Sequence, residues 1–193
     1  MKDRINAALR SHREVMDALQ QELTPKIIRV ASMLIDAFRG GNKLLVMGNG
    51  GSAADAQHLA GEIVGRFRLE RPGLPALALS TDTSILTAVG NDYGFDEVFR
   101  RQVEAHARTG DVVIGISTSG SSPNVLSALR LAGERGCRTI GLLGKDGGSI
   151  RELVEIDLTV PGYDTPRIQE GHITIIHLLC ELVEQALFGE GSQ

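Results

Sequence analysis

The sequence predicts an α/β protein: a single doubly wound, mainly parallel five-stranded sheet flanked by helices, with further helices leading in from the N-terminus. Three observations carry this. Five short apolar runs recur along the chain, segments of helical length separate most of them, and the two most distinctive polar loops each follow directly on an apolar run. Alternation of this kind builds a parallel sheet, because parallel neighbours need a long crossover, usually a helix.

Taken in order, residues 4–22 and 25–39 place apolar side chains such as Ile28, Val30, Ala31, Leu34, Ile35 and Phe38 at helical spacing. Pro25 suits a first helical turn, so two leading helices are predicted. Gly40, Gly41 and Asn42 punctuate the chain, and Lys43–Met47 (KLLVM) then reads as a strand buried on both faces. Ala76–Leu79, Val112–Ile116, Thr139–Leu143 and Ile156–Val160 supply the other four strands. The intervening helices are expected at 52–65, 82–89, 94–107 and 122–135, with a long final helix near 167–188.

At 193 residues the chain suits one domain, 1–193, and a hydrophobic fraction of 42% against 23% charged residues argues against long disorder. A formal net charge of −4 with mixed signs gives no electrostatic footprint for nucleic acid, so an anionic ligand needs a local trap. The N-terminus is charged throughout, and no stretch approaches the ~20 uninterrupted apolar residues of a membrane span. A cytoplasmic protein with neither membrane nor nucleic-acid partners is expected. Cys137 and Cys180 fall in a strand and an apolar helix without CxxC spacing, which favours free core thiols.

In an open parallel sheet, ligands gather beyond the carboxyl ends of the strands. After KLLVM comes Gly48-Asn49-Gly50-Gly51-Ser52, where glycines allow close backbone approach and Ser52 can cap the following helix. Gly48-x-Gly50-x-x-Ala53 also matches a relaxed dinucleotide fingerprint. That fingerprint needs an acidic residue ending a strand about 20 residues on, whereas Glu70 lies in an Arg-rich loop. No Lys follows Gly51, which excludes a Walker loop.

Beyond VVIGI, Ser117-Thr118-Ser119-Gly120-Ser121-Ser122 packs five hydroxyls into six positions at a helix start. Hydroxyls and free amides at the positive end of a helix bind phosphate without Lys or Arg. Such a cluster also serves as a solvated loop and cap, but its place at the carboxyl edge of the sheet favours the anion trap.

Asp55, His58 and Glu62 recur at spacings of three and four, which puts them on one helix face. Two functional readings stand: a metal pair of His58 with Glu62, or a base held by its neighbours. A polar stripe on an amphipathic helix is the bland alternative. His177 sits in an almost wholly apolar run, where an imidazole is either a satisfied core residue or a group facing a cavity. Gln169, eight residues earlier, would lie ~12 Å away along a straight helix. One metal cannot take both from such a helix, so either Gln169 precedes the helix or the site draws on different subunits.

Taken together, the blocks at 48–52, Asp-x-x-His-x-x-x-Glu at 55–62, Gly-Asn-Asp at 90–92, Ser-Thr-Ser-Gly-x-Ser at 117–122 and Arg-Ile-Gln-Glu-x-His at 167–172 resemble the sugar isomerase (SIS) domain. The resemblance spans nearly the whole chain. It implies an aldose-ketose isomerase that interconverts D-sedoheptulose 7-phosphate and D-glycero-D-manno-heptose 7-phosphate through a cis-enediol, at the start of ADP-heptose synthesis for the lipopolysaccharide core. By the same resemblance Glu62 and His177 are catalytic, and Asn49, Gly50, Gly51, Ser52, Glu62, Asn91, Asp92, Ser117, Thr118, Ser119, Ser122 and Gln169 bind substrate. Zinc is implied at His58, Glu62, Gln169 and His177, with Asp55 in support, in a homotetramer with shared sites to which residues 1–40 contribute. Some relatives carry an acidic residue immediately before Arg-Ile-Gln; here that position is Pro166, with Asp164 two residues earlier, so no ring-opening role is assigned.

The same fold family includes non-catalytic members, among them a replication-initiator-binding protein and sugar-phosphate-sensing modules of regulators, so fold alone does not decide function. The initiator-binding relative lacks both catalytic groups. Glu62 and His177 are both present here.

Overall fold

Five strands, β1 (Leu44–Gly48), β2 (Ala76–Ala78), β3 (Val112–Ser117), β4 (Arg138–Leu143) and β5 (Ile156–Thr159), form one all-parallel sheet in the order β2-β1-β3-β4-β5. The computed structural model describes residues 1–189; positions 190–193 of the expected domain lie outside the described residues. In register, Leu44–Gly48 pairs with Val112–Ile116, and Val112–Ser117 with Arg138–Leu143. The three central strands are buried along almost their whole length, which is why they read as unbroken apolar runs rather than alternating ones.

Among the described residues, seven α-helices accompany the sheet: α1 (Lys2–Arg39), α2 (Gly51–Val64), α3 (Thr83–Tyr93), α4 (Arg100–His106), α5 (Pro123–Glu134), α6 (Gly148–Arg151) and α7 (Thr165–Phe188). One core layer joins Val46, Ile114, Ile116 and Leu142 to Leu34 of α1, Leu59 and Ile63 of α2, and Ile175 and Leu179 of α7. The opposite layer joins Leu45, Met47 and Val113 to Phe99, Val103, Val125 and Leu129. Alternate residues of each strand thus feed opposite layers, as the pleat requires. By length and hydropathy α7 could span a bilayer, yet Ile168, Ile175, Ile176, Leu179 and Val183 are buried within the first layer.

The two expected leading helices are one. α1 runs unbroken through Pro25, because Val15, Leu19, Leu23, Ile27, Val30, Leu34 and Phe38 form a single buried stripe on both sides of it. That continuous stripe outweighs one lost amide bond, whose orphaned acceptor is the carbonyl of exposed Gln21. Ile28 points outward. The helix expected at 94–107 is a 3₁₀ turn (Phe95–Glu97) followed by α4, and α3 continues past position 89 to Tyr93.

β1 and β3 are neighbours, but the chain leaves β1 toward β2 on one side and β3 toward β4 on the other. This is the topological switch point, where the loops after the two strands diverge and leave a crevice. The two distinctive polar loops are those loops.

Candidate active site

The Gly-rich loop is shaped by what it must avoid. A Cβ at Gly48 would lie 2.6 Å from the Ser52 carbonyl oxygen, and one at Gly51 would overlap the Gln169 amide group. Gly50 adopts φ +57° and is the N-cap of α2. Ser52, expected from the sequence to cap the helix, therefore does not; it lies inside the first turn and is buried. Gln169, in the second turn of α7, reaches the loop from above.

In the second loop the hydroxyls face one another. Ser117 Oγ lies 2.9 Å from Ser122 Oγ and 3.4 Å from Ser119 Oγ, and it accepts the Gly120 amide at 3.1 Å. Ser119 Oγ accepts the Ser121 amide at 3.2 Å. Ser122 occupies the N-cap of α5 without a side-chain capping bond, and Pro123 follows at the first helical position. The result is a polar nest at a helix start, the expected form of an anion trap.

The two loops are joined by a pair that the sequence reading missed. Asn49 Nδ2 donates to Asn124 Oδ1 at 2.9 Å, and Asn124 Nδ2 donates back to Asn49 Oδ1 at 2.9 Å. Asn124 is buried, and its Oδ1 also accepts the Val125 amide. The side chain of Asn49, expected to contact substrate, also holds the crevice, with one amide N–H left over. An Asn just after the Ser-Pro start of α5 was the available signal.

Further along α2 and α7 is a second cluster. His58 Nε2 lies 2.9 Å from His177 Nε2 and 3.6 Å from Glu62 Oε1, with the two rings edge to face at 5.1 Å. His58 and Glu62 are part-exposed, at 41% and 25%. His177 is half-buried, with the Phe67 ring tilted against it at 5.7 Å. It is not a core histidine. That role falls to His172, fully buried and bonded through Nε2 to the Leu143 carbonyl at 2.8 Å, where burial pulls its pKa down to about 4.

Asp55 stands on the same face of α2 as His58 and Glu62. One of its carboxylate oxygens is buried without a hydrogen-bond partner, and burial raises its pKa while His58 partly offsets that. Cys180, two residues short of Leu182 on α7, is a free buried thiol, as is Cys137. Burial first and Glu62 second push the Cys180 thiol up to about 12, so it is inert.

Two expected groupings do not assemble within the chain. Gln169 and His177 lie on one regular helix, so Gln169 does not precede it, and their eight-residue separation of ~12 Å keeps the amide away from His58 and Glu62. Asn91 and Asp92 are exposed at the end of α3, where Asn91 Nδ2 donates to Asp92 Oδ1 at 2.8 Å. α3 buries no residue at all in the isolated chain.

The donors fit zinc by type: two imidazoles and a carboxylate leave a fourth position open. Two nitrogens on one tetrahedral zinc stand ~3.3 Å apart given Zn–N bonds of about 2.0–2.1 Å, so the histidine pair would need to part by a few tenths of an ångström. Among the described residues no three His, Cys, Asp or Glu side chains already close on an ion.

Against known proteins, the family profile described as SIS domain matches residues 9–144. The phosphoheptose isomerase of Geobacter sulfurreducens is 71% identical over 188 residues, covering 97% of this chain and 100% of that protein. That of Geobacter metallireducens is 69% identical over 188 residues, with the same coverage. The solved phosphoheptose isomerase of Neisseria gonorrhoeae superposes with a TM-score of 0.91 at 43% identity, covering 95% of this chain and 98% of that one. With that profile, those identities over nearly the whole chain and that shared fold, the chain belongs to the SIS-domain family, among its phosphoheptose isomerases, and is an isomerase.

Proposed function

We propose that this isomerase interconverts D-sedoheptulose 7-phosphate and D-glycero-D-manno-heptose 7-phosphate through a cis-enediol, supplying ADP-heptose synthesis. The observation that carries this is the layout along α2 and α7. The serine nest and the Gly-rich loop, tied by Asn49 and Asn124, lie at one end, and further on are His58, about two turns along α2, Glu62, about three turns along it, and His177 of α7 against His58. A seven-carbon sugar phosphate can seat its phosphate in the first and place C1 and C2 at the second.

Aldose-ketose exchange needs no redox cofactor, only the transfer of a proton between adjacent carbons. From the ketose, Glu62 takes a proton from C1 and later returns it to C2. His177 gives a proton to the C2 oxygen as that carbonyl becomes a hydroxyl, and takes one from the C1 hydroxyl as the aldehyde forms. A bound zinc would supply Lewis-acid stabilisation of the developing oxyanion, held by His58, Glu62 and His177. Glu62 is a weaker base while it is a ligand, so ligand and base roles belong to different states.

We further infer a homotetramer with shared sites. Asn91, Asp92 and the metal role of Gln169 then come from another subunit. In support, α3 has no buried residue, its last residue Tyr93 and the following Phe95 are exposed, and Ile28, Leu178 and Leu182 leave an apolar groove between α1 and α7. Two reduced buried thiols accord with a cytoplasmic setting.

The test is turnover of purified protein on sedoheptulose 7-phosphate beside fructose 6-phosphate and arabinose 5-phosphate. A clear preference for the heptulose phosphate is expected, and preference for either shorter sugar overturns the substrate assignment.

A further inference from the structure

Below the histidine pair, α7 carries a buried carboxylate with no part in the chemistry so far described. Glu184 stands seven residues after His177, two turns along the same face. It accepts the backbone amides of Phe67 at 2.9 Å, Arg68 at 2.7 Å and Leu69 at 2.8 Å, and Arg71 Nε at 3.1 Å. Those four donors fill the acceptor capacity of one carboxylate. Both side chains of the ion pair are only 2% exposed.

The rest of the Arg71 guanidinium turns to the end of α2. Nη2 donates to the Glu62 carbonyl at 2.8 Å, and Nη1 donates to the Ile63 carbonyl at 2.9 Å. These are among the last carbonyls of the helix, which no intrahelical amide reaches. Meanwhile the amide bonds from Phe67 to Leu69 fix the loop so that the Phe67 ring rests against His177. One buried ion pair thus touches both sides of the reacting cluster, through the backbone of Glu62 and through the ring beside His177.

We propose that Glu184 and Arg71 form a clamp that sets the spacing and orientation of Glu62 and His177, making them positioning residues for the proton transfer. The proposal rests on the catalytic reading of Glu62 and His177. A surface ion pair would not hold such a distance, but a desolvated Arg with a filled carboxylate partner does. The clamp is remote from the serine nest, so it acts on turnover and not on phosphate binding.

The experiment compares Arg71→Lys, Glu184→Gln and Phe67→Leu with the unaltered protein. Lys keeps the charge but cannot reach Glu184 and two carbonyls together. Phe67→Leu leaves the ion pair intact at a half-buried position, so it reports on the clamp even if both buried variants fail to fold. Folding is followed by circular dichroism, turnover on sedoheptulose 7-phosphate as separate kcat and KM, and the positions of the Glu62 and His177 side chains by crystal structures of the variants.

Misplacement of reacting groups by a fraction of an ångström is expected to lower kcat about tenfold or more, with KM within about twofold and the Glu62 and His177 side chains visibly displaced. A folded variant with unchanged kcat and unmoved Glu62 and His177 side chains overturns the clamp. The crystallographic arm needs no turnover, so an inactive wild type with displaced side chains in the variants sinks the reaction assignment and leaves the clamp standing.

Discussion

Nε2 of His58 lies 2.9 Å from Nε2 of His177 and 3.6 Å from Glu62 Oε1, so His58 links the carboxylate of α2 to the imidazole of α7. A carboxylate and an imidazole held on either side of one common neighbour supply the two groups that moving a proton across two carbons and two oxygens requires. Replacing His177 with Gln should lower kcat by ~10²–10⁴ with KM little changed. A variant within threefold of wild-type kcat would remove His177 from the chemistry.

Glu62→Gln keeps the size and the helix but not the base. Isomerisation should fall below detection while sugar-phosphate binding, read by calorimetry, persists. The sharper readout is exchange of the C1 hydrogen of the ketose with solvent deuterium, which should stop. Continued exchange would mean that another group takes that proton.

Asn124→Ala leaves the Asn49 amide without its partner in a buried crevice, at a cost of about 1–3 kcal/mol. The lowered melting temperature should be accompanied by a raised KM, since the two loops lose their tie, and by a nearly unchanged kcat. Unchanged KM would mean that the Asn49–Asn124 pair serves folding alone.

His172 gives the pH dependence a definite sign. Its pKa is lowered from 6.5 to about 4 by burial, so the unfolded chain takes up its proton first on acidification. The stability due to neutral His172 is therefore complete above pH 6.5 and is lost progressively down to about pH 4, amounting to roughly 3 kcal/mol. His172→Gln can keep a donor for the Leu143 carbonyl but cannot titrate. Its unfolding free energy, measured by urea titration, should be flatter than that of wild type between pH 6.5 and 4, and an identical slope counts against this account.

Removal of metal tests the donor set directly. Chelation should lower activity, and zinc should restore it more fully than magnesium, because two imidazoles favour zinc. Full activity in metal-free protein would leave His58 as a partner of His177 and nothing more.

The sequence by itself determined the sheet, because strands such as Leu44–Gly48 and Val112–Ser117 are buried on both faces and so must be apolar at every position. It also placed the two loops at the sheet's carboxyl edge, and put Asp55, His58 and Glu62 on one face, since helical spacing alone fixes that. The continuity of α1 through Pro25 was not legible, because local propensity was overruled by a stripe that packs against distant elements. Nor were the Asn49–Asn124 tie and the Glu184–Arg71 clamp, between residues 75 and 113 apart in the chain respectively. His172 and His177 lie on the same helix, and which of them is a core residue and which meets His58 depends on how α7 rolls against α2. That rotation is set by the burial of Ile175, Ile176 and Leu179 in the common core, so only the tertiary structure could turn His177 toward the site and His172 away from it.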